Sequence, residues 1–239
     1  MSRLLVLTAM DLEARALARE LGLARRPSSP FPRFAGGRIE VVPVGLRASR
    51  LEARWLADGA PALVVSAGTC GALSPVLAGP GALVLPREVL TLSGARLAVD
   101  PAGHARAMAA AARAGRAATV EPLLTASAIV ESPEAKAALR RDTGAVAVDM
   151  ESAAILAAAA RRGVPAVVVR AVSDTAAQRV PRELGDLVDD EGRTRPGRVA
   201  ALVLRRPALI GRALALRRGA AVALTAVAQV LAEIAEGEV

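Results

Sequence analysis

Three carboxylates and a hydroxyl follow apolar runs in this chain: Glu13 just past Arg3–Thr8, Thr69 past Ala62–Ala67, Glu151 past Ala145–Asp149, and Asp174 past Pro165–Val172. An acid at the end of a strand also serves as a helix cap, so any one of them alone carries little weight. Gathered at one mouth, they suggest acid–base chemistry on a polar organic substrate. The rest of the reactive inventory is thin. One Cys (Cys70) and one His (His104) offer no ligand set with metal spacing, so no metal site and no cofactor is expected. Cys70 reads as a small buried filler, since a nucleophilic thiol needs a nearby base, and His104 reads as a surface residue in a polar loop.

The elements that must position these groups can be read from periodicity. Arg3–Thr8 reads as a buried strand and Asp11–Leu21 as a helix with Leu12, Ala16, Leu17 and Leu21 on one face. A loop over Ala24–Gly37, a strand at Ile39–Val44 and a helix over Ala48–Asp58 follow. A third strand, Ala62–Ala67, enters a turn at Gly68-Thr69-Cys70-Gly71. Then come a strand at Gly81–Pro86, a hairpin in Leu90–Val99, a helix at Ala105–Ala114 and a strand at Ala118–Leu124. Ser132-Pro133-Glu134 opens a helix with a Ser cap, Pro at the first position and an acid in the first turn. Strand Ala145–Asp149, helix Ser152–Arg162 and strand Pro165–Val172 read as a parallel crossover unit. Its right-handed connection would bring Met150-Glu151 and Ser173-Asp174 to one sheet edge, where open α/β sheets bind ligands. The fold class is therefore α/β: a single domain with a mixed, mostly parallel sheet flanked by helices and a C-terminal helical extension. Residues 1–180 form the core and residues 181–239 the extension, packed on or continuing the same domain.

Composition narrows the function classes. The 239 residues are 53% hydrophobic, which excludes disorder, and a single Cys excludes a disulfide framework and points to a reducing, cytoplasmic compartment. Only 1% of residues are aromatic and Tyr is missing, which argues against base-stacking platforms for single-stranded nucleic acid. The net charge of +8 invites a polyanion partner, but 31 basic residues include one Lys, Lys136, and Ala dominates elsewhere. A bias toward Ala and Arg explains the charge without a binding role, and no nucleic-acid partner is expected. The N-terminal apolar run is too short for a signal peptide, Gly59–Pro86 is too rich in Pro and Gly for a membrane span, and Gly219–Ala232 is too short for one. No G-x-G-x-x-G follows the first strand, which disfavours a dinucleotide dehydrogenase.

Ala147-Val148-Asp149-Met150-Glu151-Ser152-Ala153-Ala154, followed by Val169-Arg170-Ala171-Val172-Ser173-Asp174, resembles the hallmark of the nucleoside phosphorylase and nucleosidase superfamily. Ala9-Met10-Asp11-Leu12-Glu13 resembles the opening of methylthioadenosine/adenosylhomocysteine nucleosidases. Gly68-Thr69-Cys70-Gly71-Ala72-Leu73-Ser74-Pro75 resembles the shared Gly-rich turn, in its phosphorylase form. The resemblance implies a nucleoside phosphorylase-like fold and cleavage of an N-glycosidic bond to a purine, with a small-molecule nucleoside as substrate and a homo-oligomer as the usual assembly. By the same resemblance Asp174 would protonate the leaving base, Glu151 would hold ribose hydroxyls and Met150 would pack on the sugar. Ser173 and Gly68 would belong to the substrate site. Ile129 and Val130 would face the base, Ile129 standing where an aromatic residue often stacks. A solvated Asp is ionised at neutral pH, so burial or a shared hydrogen bond has to keep a proton at Asp174. The attacking species stays open. Glu13 would activate water in a nucleosidase; Thr69, with Arg47, would contact phosphate in a phosphorylase, inorganic phosphate then being the co-substrate. An ordinary exposed Arg at a helix start is the other reading of Arg47.

Residues 192–232 carry eight Arg and no acid, interleaved with Leu202, Val203, Leu204, Leu209, Ile210, Leu214 and Leu216. This reads as an interfacial helix or helix pair broken near Pro207, or equally as a packing helix with solvated Arg. The segment resembles the tail of hopanoid-associated phosphorylases. That resemblance implies an adenosylhopane-type substrate and peripheral contact with the anionic inner membrane face. On these grounds phosphorolysis of a hopanoid nucleoside stands ahead of hydrolysis of methylthioadenosine or adenosylhomocysteine. Futalosine hydrolysis stands third, and a non-catalytic nucleoside-binding protein is the rival from another class.

Overall fold

Short runs rich in Leu and Val become strands buried on both faces, and the Ala-rich segments between them become covering helices. The computed structural model describes residues 3–27, 29–55, 60–181, 183, 187–189, 191–193, 195–198 and 209–237. Their order is β1 (Leu4–Thr8), α1 (Asp11–Glu20), β2 (Ala24–Arg25), β3 (Phe34–Gly36), β4 (Ile39–Pro43), α2 (Leu51–Arg54) and β5 (Leu63–Ala72). After these come β6 (Leu83–Val84), β7 (Glu88–Thr91), β8 (Arg96–Ala98), α3 (Pro101–Arg113), β9 (Ala118–Thr119) and β10 (Leu123–Thr125). The chain then forms α4 (Pro133–Thr143), β11 (Ala147–Asp149), α5 (Ser152–Arg161), β12 (Ala166–Asp174) and α6 (Leu209–Glu236). The twelve described strands form one mixed sheet flanked by helices, in the order β2-β3-β4-β1-β5-β11-β10-β7-β8, with β12 on β5, β6 on β12 and β9 on β6.

β5 is the hub, and it corrects one expectation. Gly68–Gly71 is no turn: the strand continues through it to Ala72, because β12 pairs with it in parallel from Ala166↔Val64 to Val172↔Cys70. Cross-strand partners satisfy the backbone of the Gly-rich stretch, so a sequence that reads as a break stays extended. Gly68 is also required sterically. At φ +145°, a Cβ there would lie 2.7 Å from the Arg170 guanidinium and 2.8 Å from Glu13 Oε1.

The unit from β11 to β12 is a second correction. β12 runs parallel to β5, but β11 pairs antiparallel with the far end of β5, at Ala147↔Ala72 and Val148↔Gly71. The two strands therefore flank β5 and run in opposite senses. Their C-terminal ends still meet, because Val148 and Asp174 both register with Gly71. The two acid-bearing ends approach each other across β5 rather than lying side by side.

Smaller differences have local causes. The expected loop 24–37 contains the hairpin β2–β3 at the sheet edge, and the expected strand Ala118–Leu124 divides around Pro122, which has no N–H for a ladder. The helix expected from Ala48 gives way to a 3-10 turn at Leu46–Ala48 and the short α2, because Arg47 and Ala48 have φ of 53° and 55°. The expected helix end beyond Trp55 lies outside the described residues. On α1 the buried face is Glu13, Ala14, Leu17 and Ala18, and Leu12 is 57% exposed. α4 follows its signals: Ser132 Oγ accepts from Ala135 N at 3.2 Å, Pro133 opens the helix and Gly144 closes it in the left-handed region.

α6 lies against β12, β5, α1 and α3, with Ala223, Leu224, Val227, Val230, Leu231 and Ile234 in the core. Gly219 allows the approach, since a Cβ there would stand 2.1 Å from the Ser173 carbonyl oxygen. By length and composition the helix could cross a membrane, but half of its apolar window is buried against the sheet. Ile210, Leu214 and Arg212, Arg217 and Arg218 are exposed. Leu202, Val203, Leu204 and the break near Pro207 lie outside the described residues.

Candidate active site

A cavity of about 860 Å³ opens where β5, β11 and β12 end, a size ordinary for small-molecule sites. Glu13, Arg47, Thr69, Ile129, Val130, Met150, Glu151, Ser173 and Asp174 all line it. Gly68 does not: it sits behind the wall, giving room to Glu13 and Arg170, which corrects its assignment to the substrate site.

Glu13 is the third residue of α1, and its carboxylate turns back on the helix start. Oε2 accepts from Ala9 N at 3.1 Å and Met10 N at 3.3 Å, the reciprocal half of a capping box. Oε1 accepts from Thr69 N at 2.9 Å and Thr69 Oγ1 at 3.0 Å. One side chain thus caps α1 and lines the cavity.

Glu151 is also buried. Oε1 accepts from Arg47 N at 3.0 Å, a contact that the positive φ of Arg47 makes geometrically available, and Oε2 stands 3.8 Å from Arg170. Burial pushes the Glu151 carboxyl up to about 8; Arg170 and the Arg47 amide oppose the rise, while the nearby Asp149 and Glu13 carboxylates add to it. Arg170, 1% exposed, lies in the apolar run of β12. Its guanidinium contacts Asp149 Oδ2 at 2.7 Å, Ser66 Oγ at 3.1 Å and the Thr69 carbonyl at 3.3 Å. Burial works against that charge, and Asp149, Glu151 and Glu13 outweigh it and hold the group above its ordinary range. Asp149 itself accepts from Thr125 Oγ1 at 2.7 Å and from Ser152 N at 3.0 Å, which ties β10, β11 and α5 to the same charge network.

Asp174 lies across β5 from this network. Oδ1 accepts from Ser173 Oγ at 2.8 Å, and Oδ2 accepts from Lys136 Nζ at 2.5 Å. Lys136, on the second turn of α4, is 1% exposed and donates also to the carbonyls of Thr175 (2.8 Å) and Gln178 (3.0 Å). Val148, Ile129, Val130, Val180 and Met150 also line the cavity. So do Val188, Leu216 and Ala220, with Arg195 and Arg198.

Sequence reasoning missed Lys136, Arg170 and Asp149. Two signals were present: Arg170 interrupts an otherwise apolar strand and so demands a buried counter-charge, and Lys136 is one Lys among 31 basic residues. Cys70 lies on β5 as a buried filler whose thiol burial holds protonated. His104 is not a loop residue; it sits on α3, half-buried, with Nε2 donating to the Leu85 carbonyl at 2.9 Å. Among the described residues no group of His, Cys, Asp and Glu has the makings of a metal site.

Compared with known families, residues 3–206 match the phosphorylase superfamily. No curated protein matches. Among solved structures, the chain resembles futalosine hydrolase of Helicobacter pylori at a TM-score of 0.71 and 18% identity, over 98% of this chain and 97% of that one. It resembles 5'-methylthioadenosine/S-adenosylhomocysteine nucleosidase from Neisseria meningitidis, in complex with methylthio-immucillin-A, at 0.71 and 21% identity over 98% of each chain. The Helicobacter pylori nucleosidase bound to butyl-thio-DADMe-Immucillin-A gives 0.66 and 21%, over 86% of this chain and 99% of that one. At such identities the likeness is one of fold.

Proposed function

The chain belongs to the phosphorylase superfamily, and from that premise we propose that it hydrolyses the N-glycosidic bond of a purine nucleoside substituted at the 5' position. The observation that carries water over phosphate is the engagement of Thr69. Its N–H and its hydroxyl both donate to Glu13 Oε1. A phosphate cradle needs those donors turned toward the anion, and here a carboxylate occupies them. The Glu13 carboxylate in the same cavity would also repel a phosphate dianion. This reading reverses the order that the Gly-rich stretch suggested.

In this reading Glu13 holds a water against the anomeric carbon and takes its proton. Glu151 binds the ribose hydroxyls, and its negative charge favours a sugar that becomes cationic as the bond breaks. Asp174 gives a proton to a ring nitrogen of the departing base. Met150 packs on the sugar, and Ile129, Val130 and Val180 hold the base between aliphatic side chains. Adenine is the base we favour. Val188, Leu216 and Ala220 would receive the 5' substituent, in keeping with the butyl-thio and methylthio immucillin compounds bound to the neighbouring nucleosidases. Nothing in the described lining singles out a lipid-tailed nucleoside.

The test is base release from adenosines with different 5' substituents, in phosphate-free buffer and in labelled water. Free base with the label on the sugar's anomeric oxygen is expected. Turnover that requires phosphate and yields a sugar 1-phosphate would overturn the choice of water.

A further inference from the structure

Lys136 is the one Lys among 31 basic residues, in a chain that otherwise uses Arg throughout. The position explains the exception. Three oxygens converge on a single nitrogen: Asp174 Oδ2 at 2.5 Å, the Thr175 carbonyl at 2.8 Å and the Gln178 carbonyl at 3.0 Å. A tetrahedral ammonium can satisfy three such acceptors; a planar guanidinium presents its donors as a fork and cannot. The group is 1% exposed and its charge needs a partner there. Among the described residues Asp174 is the only carboxylate it touches.

From this geometry we propose that Lys136 is a positioning residue that holds the Asp174 carboxyl in place against the departing base. It fixes one carboxyl oxygen, and it stabilises the carboxylate that remains after the proton has gone. The inference rests on the glycosidic-bond reading given above and assigns this residue's part in it.

The step balances as follows. The C1'–N bond breaks with its electron pair going to the base, whose ring nitrogen takes the proton from the Asp174 carboxyl. Water forms the new C1'–O bond and gives a proton to Glu13. Asp174 is left ionised beside the Lys136 ammonium, and exchange with solvent resets both acids. Glu13, Arg47, Cys70, Glu131, Asp149, Glu151, Arg170, Arg195 and Arg198 also line the cavity. Arg170 is engaged by Asp149 and Glu151, and the thiol stays protonated. Among the described residues the cation in contact with Asp174 is Lys136.

Two measurements test this. In the first, lysine carrying carbon-13 at Cε gives one side-chain cross-peak, that of Lys136. In D174N this peak should move from its wild-type position, because the ammonium has lost the carboxylate it donates to. The second follows kcat and KM against pH for adenine release. K136Q should lower kcat about 100-fold with KM within about threefold, because the carboxyl loses the contact that fixes it. In a D174N background the same substitution should cost less than about threefold. A cross-peak indifferent to D174N, or a K136Q loss in kcat as large in the D174N background as in the wild type, overturns the proposal; the NMR arm decides should K136Q fail to fold. A wild type that releases no base from any nucleoside would instead sink the glycosidic reading.

Discussion

Glu13 and Asp174 face the same cavity and are held by opposite means. Glu13 accepts four hydrogen bonds, all from uncharged donors, three of them backbone N–H groups of Ala9, Met10 and Thr69. Asp174 accepts from one hydroxyl and from the ammonium of a residue 38 positions away in sequence. Backbone donors belong to the fold: the start of α1 and the register of β5 set them, and no side-chain change removes them. The Lys136 contact is a single side chain on a separate helix. A carboxylate held by neutral donors keeps its full charge for a developing cation or an incoming proton. One beside an ammonium has that charge balanced by its partner. The Glu13 end of the cavity is rigid by construction, and the Asp174 end can be tuned by substitution.

The largest expected effect is at the tunable end. D174N keeps the shape and removes the exchangeable proton, so base release should fall by about 10³-fold or more, while binding of an uncleavable nucleoside analogue changes far less. Loss of binding in step with loss of rate would make Asp174 a binding group only, and would favour the non-catalytic rival. E13Q should fall less, by about 100-fold, because the two backbone donors of Ala9 and Met10 can still hold one end of the side chain and the water keeps part of its site. An E13Q variant as inactive as D174N would erase the contrast between the ends.

That contrast was only half legible in the sequence. The strands β1, β4 and β12 and the helix α4 were readable because apolar runs and cap residues act locally. The direction of β11 was not, since nothing local says which neighbour a three-residue strand will meet. β5 beyond Ala67 was misread for a related reason. Glycines there clear space for the Glu13 and Asp174 carboxylates, and a residue chosen for a tertiary neighbour looks the same as one chosen for a turn. The acids themselves stood out by position. Their partners did not, because burial of Lys136 and Arg170 depends on three elements folding over them, and charge in a sequence ordinarily means surface.

Glu151 lies between the two cases. It has one backbone donor, Arg47 N, and a cation, Arg170, that stops 3.8 Å short. Its carboxyl is held up to about 8, chiefly by burial. If the ionised form is needed to favour the cationic sugar, kcat/KM should rise with pH and level off near 8, standing at about a tenth of the plateau one unit below it. Stability should run the other way. Between its ordinary 4.5 and about 8 the folded protein holds a proton that the unfolded chain has lost, so unfolding becomes easier as pH rises through that window. E151Q should abolish the kinetic limb and melt above the wild type at alkaline pH. A wild-type profile flat from neutral pH through 9 would place Glu151 with Glu13, as a carboxylate ionised throughout.

The smallest effect discriminates most sharply between water and phosphate. T69V removes the hydroxyl and leaves the amide, so Glu13 loses one donor of four and keeps one at Oε1. One net hydrogen bond corresponds to a fall in kcat of about threefold to tenfold, with the nucleoside KM nearly unchanged and no response to added phosphate. If Thr69 instead turns toward phosphate during turnover, T69V should weaken phosphate binding and leave any phosphate-independent rate untouched. The two outcomes differ in sign along the phosphate axis, so even a fewfold change decides whether Thr69 serves the carboxylate it touches or an anion it has yet to meet.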